Sequence, residues 1–526
     1  MATWLIDSAD TGVQRPTAPA TDVPWQKTVR ASLRRDIVVW VMFVVTLAIP
    51  LALRLWVAGT LPLIEPTEGR YAQIALEMVE SGDWVTPKVW IDEHQIPFLG
   101  KPPLYLWTAA ISLKLFGATE LAVRLPSLIA AAALLVMITV VVGRTFDRNT
   151  GLAAFMITST CLLVFGTTAT VIYDLHLTFF VTGALLAQFA FFFEEDVAVR
   201  SRWSLAVFVL LAGGFLTKGP VALALFGLPV LVWTTVTGNW HRLRHHRWVL
   251  GLVLFFALTI PWFAMAELRN PGFLKYFFVN ENVLRYLVPE YGDLYGTGHQ
   301  YPHGSAVWMF AGGTLPWSAV AAWWIVRRKR HGSAALFGDA KSLYFFVGFV
   351  SQVVFWSFAR QLLPTYLLPA VPLFAIWFGS LVARNDISRS RLVAMTVIAA
   401  NVWSLGIVAA APVASRRTAR TTLAFAHQIA DRSGVGDNIV FVGKTPFSAG
   451  FYFDRSVTHH PREAASVTIH RAIDSSRSCL LVVSEEDVEA VPPAYRKLLR
   501  PLTSDGEWLF VVTRDRLKRV LQSPIR

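Results

Sequence analysis

Over most of the chain, apolar residues run in long blocks separated by short polar breaks, and it is the length of these blocks that predicts the elements. A helix needs about 20 predominantly apolar residues to cross the hydrocarbon layer of a bilayer. Eleven stretches are candidates: 38–58, 122–143, 152–170, 174–193, 203–217, 220–238, 248–266, 305–326, 343–358, 366–383 and 392–412, the fifth and ninth being short. The expected architecture over 37–413 is therefore a polytopic α-helical membrane protein. Beyond it the pattern changes: NIVFVG (438–443), CLLVVS (479–484) and WLFVVTR (508–514) read as short buried strands. TTLAFAHQIADRS and PREAASVTIHRAI carry helical spacing between them, so a small α/β domain is expected over 414–526.

Composition strengthens this picture. The chain is 54% hydrophobic with 20 Trp and 36 Phe, against 16% charged residues, which a soluble domain rarely tolerates. The net charge of +13 is distributed as topology, because short cytoplasmic loops collect Lys and Arg. Arg30, Arg34 and Arg35 precede the first span, and basic clusters at Arg144 and Arg148, Arg200 and Arg202, Arg242 to Arg247, Arg327 to Arg330 and Arg384 to Arg391 follow in alternate loops. No nucleic-acid partner is implied. This alternation places the segments 59–121 and 267–304, and the C-terminal domain, on the outer face. Residues 1–36, polar and rich in Pro, Thr and Ala, are expected as a disordered cytoplasmic leader. Two cysteines, Cys161 in a span and Cys479 in a strand, provide neither a disulfide framework nor a metal cluster.

The polar residues that could carry chemistry gather in the outer segments. EPTEGRY (65–71) brings Glu65, Glu68 and Arg70 to the end of the first span. From Glu68 onward, Tyr71, Ile74, Ala75 and Met78 recur at spacings of three and four, predicting an amphipathic helix along the membrane surface. Pro66 biases Glu65 out of the helix and leaves Glu68 in its first turn, where a carboxylate is also favoured by the helix dipole alone. GKPPLYLWTAAISLKLFG (100–117) places Lys101 before a Pro-Pro helix start. Lys218 and Arg360 stand in short outer turns where the orientation rule disfavours cations, so they are site candidates as well as helix-end anchors. Asp174 and His176, at the start of a span, are either functional or, for Asp174, an N-cap. Tyr276, Phe277, Phe278 and Tyr286 either line a groove or belong to the interfacial aromatic belt.

EPTEGRYAQIALEMVESGDWVTP, GKPPLYLWTAAISLKLFG, ELAVRLPS, YDLHLTFFV (173–181), FLTKGPVAL (215–223), KYFFVNENVLRY (275–286), the run around His299 to LPWS, and RQLLPTYLLPAVP (360–372) together resemble the bacterial GT-C glycosyltransferases of the aminoarabinose-transferase type, a broad family that includes the protein O-mannosyltransferases. The resemblance runs over about 35–385. It implies a GT-C fold and an enzyme that takes a sugar from a polyprenyl-phosphate donor and passes it to an outer-side acceptor: a lipid A or other glycolipid, a glycan, or a protein hydroxyl.

Where the family places an Asp-Glu pair before x-Arg-Tyr, this chain has Thr67-Glu68, so the role of base falls on Glu68, favoured for its spacing to Arg70 and Tyr71, or on Glu65. The leaving group is already a phosphate, so cations rather than an acid are needed, and Lys101, Arg70, Lys218, Arg285 and Arg360 are the candidates to hold it. Tyr71, Asp174, His176, Glu281, Asn282 and His299 complete the expected pocket. The family's divalent-ion positions read Gly100 and Asn282 here, and Glu93, His94, His299 and His303 fit no metal spacing, so neither a bound metal nor a cofactor is expected. Two rival readings are a lipid-linked sugar flippase, which would carry charges deep in its spans, and a non-catalytic relative.

Overall fold

The apolar blocks fold as helices because only a helix satisfies every backbone N–H and C=O within its own segment. The computed structural model describes Ala48 and residues 50–416 other than 92–93, 289–290, 294, 331–338 and 385–388; beyond these it describes 439–442, 446–452, 457–460, 480–484, 488–489, 500–501 and 508–512. The chain divides into two units, Met1–Ile49 and Pro50–Arg526, and the helices and sheets named here belong to the second. The expected leader and most of the first predicted span lie outside the described residues.

Helix α1 (Thr67–Ser81) and helix α2 (Leu104–Phe116) form the first segment expected on the outer face. α1 is the amphipathic helix that the spacing predicts: Tyr71, Ile74, Ala75 and Met78 are buried and pack with Tyr105, Ala109 and Val123. It stops at Gly82, whose φ of 69° is the left-handed turn that glycine adopts without a steric penalty, and whose N–H donates to Met78 O at 3.1 Å. Then come α3 (Glu120–Thr145), α4 (Tyr173–Phe193), α5 (Val197–Lys218), α6 (Pro220–Thr237) and α7 (Trp248–Arg269). These five and the stretch Ser390–Ala411 are, among the described residues, the six helices long and apolar enough to cross a membrane by length and composition. α4 is the most buried of the six and packs mainly on α5.

Three predicted spans differ from the block pattern. Residues 152–170 break into Arg148–Thr160 and Leu162–Thr167, because Cys161 is extended (φ −60°, ψ 132°) and Leu162 N–H turns to Leu315 O at 3.0 Å. Residues 305–326 form Ser305–Gly313 and Trp317–Arg327, bent by 101°, where Pro316 supplies no N–H to continue the ladder. The span expected at 366–383 begins as a 3-10 turn, Pro364–Leu367, before Ala370–Arg384.

In the C-terminal region the three predicted strands appear as Ile439–Val442, Leu480–Ser484 and Trp508–Val512. They join Val457–His460 and Arg500–Pro501, which apolar runs did not reveal, in one five-stranded mixed sheet. Ile439–Val442 runs parallel to both of its neighbours, and Trp508–Val512 runs antiparallel to Leu480–Ser484. The two predicted helical patterns lie outside the described residues.

Candidate active site

Lys218 is the last residue of α5, and the next residue makes the site. Gly219 has a φ of 73°, and a Cβ built on it would stand 2.4 Å from Cζ of Phe277, so the turn requires glycine both for its conformation and for the close approach of that ring. Pro220 then opens α6 at the position where a missing N–H costs nothing. Residues Tyr276–Leu284, expected as a loop, form a π-helix, a form that is rare and frequent at functional sites. It buries Phe277 and Glu281 and turns Glu281 toward Lys101.

These elements enclose a cavity of about 450 Å3 bordered by Lys101, Lys218, Glu281, Asn282 and Arg285 on its polar side. Phe277, Phe278, Tyr286, Phe355 and Trp356 supply much of the apolar wall. Glu281, buried, accepts from Lys101 Nζ and, through both oxygens at 3.0 Å, from Arg285 Nη1. Arg285 Nε also donates to Gln361 Oε1 at 3.0 Å, and Gln361 Nε2 donates to Tyr291 O at 2.8 Å. Across the cavity, Lys218 Nζ donates to Asp174 Oδ1 at 2.5 Å and stands 3.7 Å from the centroid of the Tyr366 ring. The cluster has three cations and two carboxylates in a largely desolvated corner, a net positive charge suited to an anion.

Asp174 is therefore not the N-cap that the sequence also allowed: Ile172 holds that position, and the carboxylate serves Lys218. The divalent-ion site associated with the resemblance does not fit the residues present. A Cβ on Gly100 would already meet Tyr295 Cε2 at 3.2 Å, Asn282 Nδ2 donates to Phe277 O at 2.7 Å, and Glu281 is held between two cations.

The remaining sequence candidates lie outside the cavity wall. Glu68 corrects the expectation most sharply: it is 3% exposed, and both oxygens are engaged by Arg124 (Nε at 3.0 Å, Nη2 at 2.6 Å) and by the N–H groups of Val171 at 2.8 Å and Ile64 at 2.9 Å. A carboxylate with that partner set has no lone pair facing an acceptor. Glu65 is partly buried and accepts from Ser448 N at 2.7 Å and Phe447 N at 3.2 Å, at the start of the helical turn Ala449–Tyr452. Burial pushes its carboxyl above the usual carboxylate range, against the lowering effect of those N–H groups and of Arg70. Arg70 lies between the rings of Tyr71 and Phe447, at 5.3 and 5.6 Å. Tyr71 packs edge-on against Tyr173, 4.8 Å between centroids, and His176 Nε2 meets Thr108 Oγ1 at 3.3 Å. His299 is exposed, with its carbonyl accepting from Leu362 N, and Arg360 N–H donates to Tyr286 O.

Sequence reasoning passed over Arg124, Gln361, Tyr366 and the Phe447–Ser448 contact. Arg124 carried a usable signal, an arginine inside a predicted span; the docking of residues 446–452 carried none. From that docking we expect Glu65→Ala to leave two backbone donors without acceptors, with amide exchange at Phe447 and Ser448 accelerating about tenfold. Unchanged exchange there would show that Glu65 does not hold the segment.

Known proteins resemble the chain along the same lines. Residues 100–264 match the family described as Dolichyl-phosphate-mannose-protein mannosyltransferase. The chain is 29% identical over 337 residues to the undecaprenyl phosphate-alpha-4-amino-4-deoxy-L-arabinose arabinosyl transferase of Erwinia tasmaniensis, covering 62% of this chain and 56% of that protein. It is 30% identical over 358 residues to the second such transferase of Proteus mirabilis, covering 65% and 58%. The chain thus spans somewhat over half the length of these curated relatives. In fold it is similar to ArnT from Cupriavidus metallidurans, solved bound to undecaprenyl phosphate, with a TM-score of 0.71, 20% identity, and 91% and 98% of the two chains covered.

Proposed function

We propose that this chain is a bacterial GT-C glycosyltransferase, an integral-membrane enzyme moving a sugar from a polyprenyl-phosphate donor to a hydroxyl-bearing acceptor on the outer side of the membrane. The observation that carries this reading is the cavity with Lys101, Lys218 and Arg285 on one side and aromatic rings on the other. A polyprenyl phosphate has the same two halves: a phosphate for the cations and a branched hydrocarbon for Phe277, Phe278, Tyr286, Phe355 and Trp356. The relatives named above are described as acting on undecaprenyl phosphate carrying an amino sugar, which has this chemistry.

In the reaction, the acceptor oxygen bonds to the anomeric carbon as the bond from that carbon to the phosphate oxygen breaks, and the electron pair leaves on the phosphate. Lys218 and Arg285 meet that growing charge in a corner where water is scarce, so their stabilisation is larger than in bulk solvent. Glu281 lets Lys101 and Arg285 stand close together without repelling one another. Of the two first-segment carboxylates expected to take the acceptor proton, Glu65 is the one left for that role, since a guanidinium occupies Glu68.

Purified protein incubated with labelled polyprenyl-phosphate sugars tests the reading. Wild type should release polyprenyl phosphate and label an acceptor, and Arg285→Ala should slow this by about ten- to a hundredfold, less than the loss of a fully buried donor to a developing anion because the Arg285 side chain is 24% exposed and solvent screens its charge. A protein that carries the donor across vesicles and never cleaves it would be a transporter instead.

A further inference from the structure

The cavity lysine is held in place by a chain of contacts that begins far from it. Arg124, in the second turn of α3, is 3% exposed and uses all five of its N–H donors. Nη1 donates to Ala58 O at 2.8 Å and Leu61 O at 2.7 Å, Nη2 to Pro62 O at 2.9 Å, and Nε and Nη2 to the two oxygens of Glu68. Glu68 in turn receives the N–H of Val171 at 2.8 Å. Val171 lies three residues before Asp174, with no regular element between it and the first turn of α4, and Asp174 holds Lys218 at 2.5 Å. Asp174 is the carboxylate that meets this buried ammonium at the end of α5, so the position of residues 171–174 sets where that charge stands.

We propose that Glu68, clamped by Arg124, is a positioning residue for the anion site: it fixes the 171–174 segment, and through Asp174 it places Lys218 against the donor phosphate. The identity of the anion rests on the function proposed above. Neither Glu68 nor Arg124 lines the cavity, and the contacts traced here lead from them to it by way of Val171, Asp174 and Lys218. This gives the pair a role that sequence spacing alone would have assigned to acid–base chemistry.

A double-mutant cycle on the full chain, read by binding of undecaprenyl phosphate to purified protein, tests this. Glu68→Gln should weaken binding about tenfold in the wild-type background and have no further effect in Lys218→Met, because groups acting as one unit are not additive. Multiplicative losses, or unchanged binding in Glu68→Gln, would overturn the proposal. Glu68→Gln leaves Arg124 poorly compensated; if it does not fold, Val171→Pro removes the N–H given to Glu68 while leaving the Glu68–Arg124 pair intact, and should weaken binding in the same non-additive way, with Val171→Ala as the control for the loss of its buried side chain. Wild type that binds undecaprenyl phosphate but transfers no sugar would sink the enzymatic reading and leave the positioning role standing. Wild type that does not bind it at all would overturn both.

Discussion

Lys218→Met should lower sugar transfer by about a hundred- to a thousandfold, the range seen when one preorganised donor to a developing anion is removed. The magnitude follows from burial. Lys218 is 8% exposed, faces Asp174 at 2.5 Å and the Tyr366 ring at 3.7 Å, and borders the cavity, so its charge acts in a medium that screens it poorly. Methionine keeps the length and apolar body of the side chain, so the loss reports the charge and not a void. Steady-state kinetics with a polyprenyl-phosphate sugar decide the matter: the loss should fall mainly on kcat, because the charge to be held grows as the bond to phosphate breaks. An unchanged kcat would remove Lys218 from the reaction.

Arg124→Ala should destabilise the protein by about 3–5 kcal/mol, the usual consequence of removing one partner of a buried ion pair. Glu68 would be left buried with two N–H groups and without its hydrogen-bonded guanidinium, and the carbonyls of Ala58, Leu61 and Pro62 at the end of the first span would lose the donors Arg124 gives them. Thermal unfolding in detergent, or the yield of folded protein, measures this. The exposed pair Arg269–Asp83, with Arg269 54% exposed, is the control: Arg269→Ala should cost about 1 kcal/mol or less. Equal effects of the two substitutions would contradict the structural role given to Arg124.

What was legible in the sequence was what a local pattern can carry. The period of α1 predicted which of its residues are buried, and apolar block length found α3 through α7. Lys101, Lys218, Glu281, Asn282 and Arg285 were named from short motifs, and the fold brings all five to one cavity. Interruptions inside apolar blocks were not legible, since Cys161 and the bend before Trp317 are stabilised by partners distant in the chain, such as Leu315 O for Leu162 N–H. The partners of Glu68 were illegible for the same reason. Its spacing to Arg70 and Tyr71 is visible in seven residues, whereas the guanidinium that occupies it comes from position 124 and the amide from position 171. Nor did any periodicity announce a π-helix at Tyr276–Leu284, whose effect is to set Glu281 between Lys101 and Arg285.

The central claim is that the cavity holds the phosphate of a polyprenyl-phosphate donor. An experimental structure of the full chain with undecaprenyl phosphate tests it most directly. The phosphate should lie within hydrogen-bond distance of Lys218 and Arg285, near Lys101, with the first isoprene units against Phe277, Phe278 and Trp356. A phosphate seated elsewhere, or a cavity that stays without lipid while another site fills, would contradict the account.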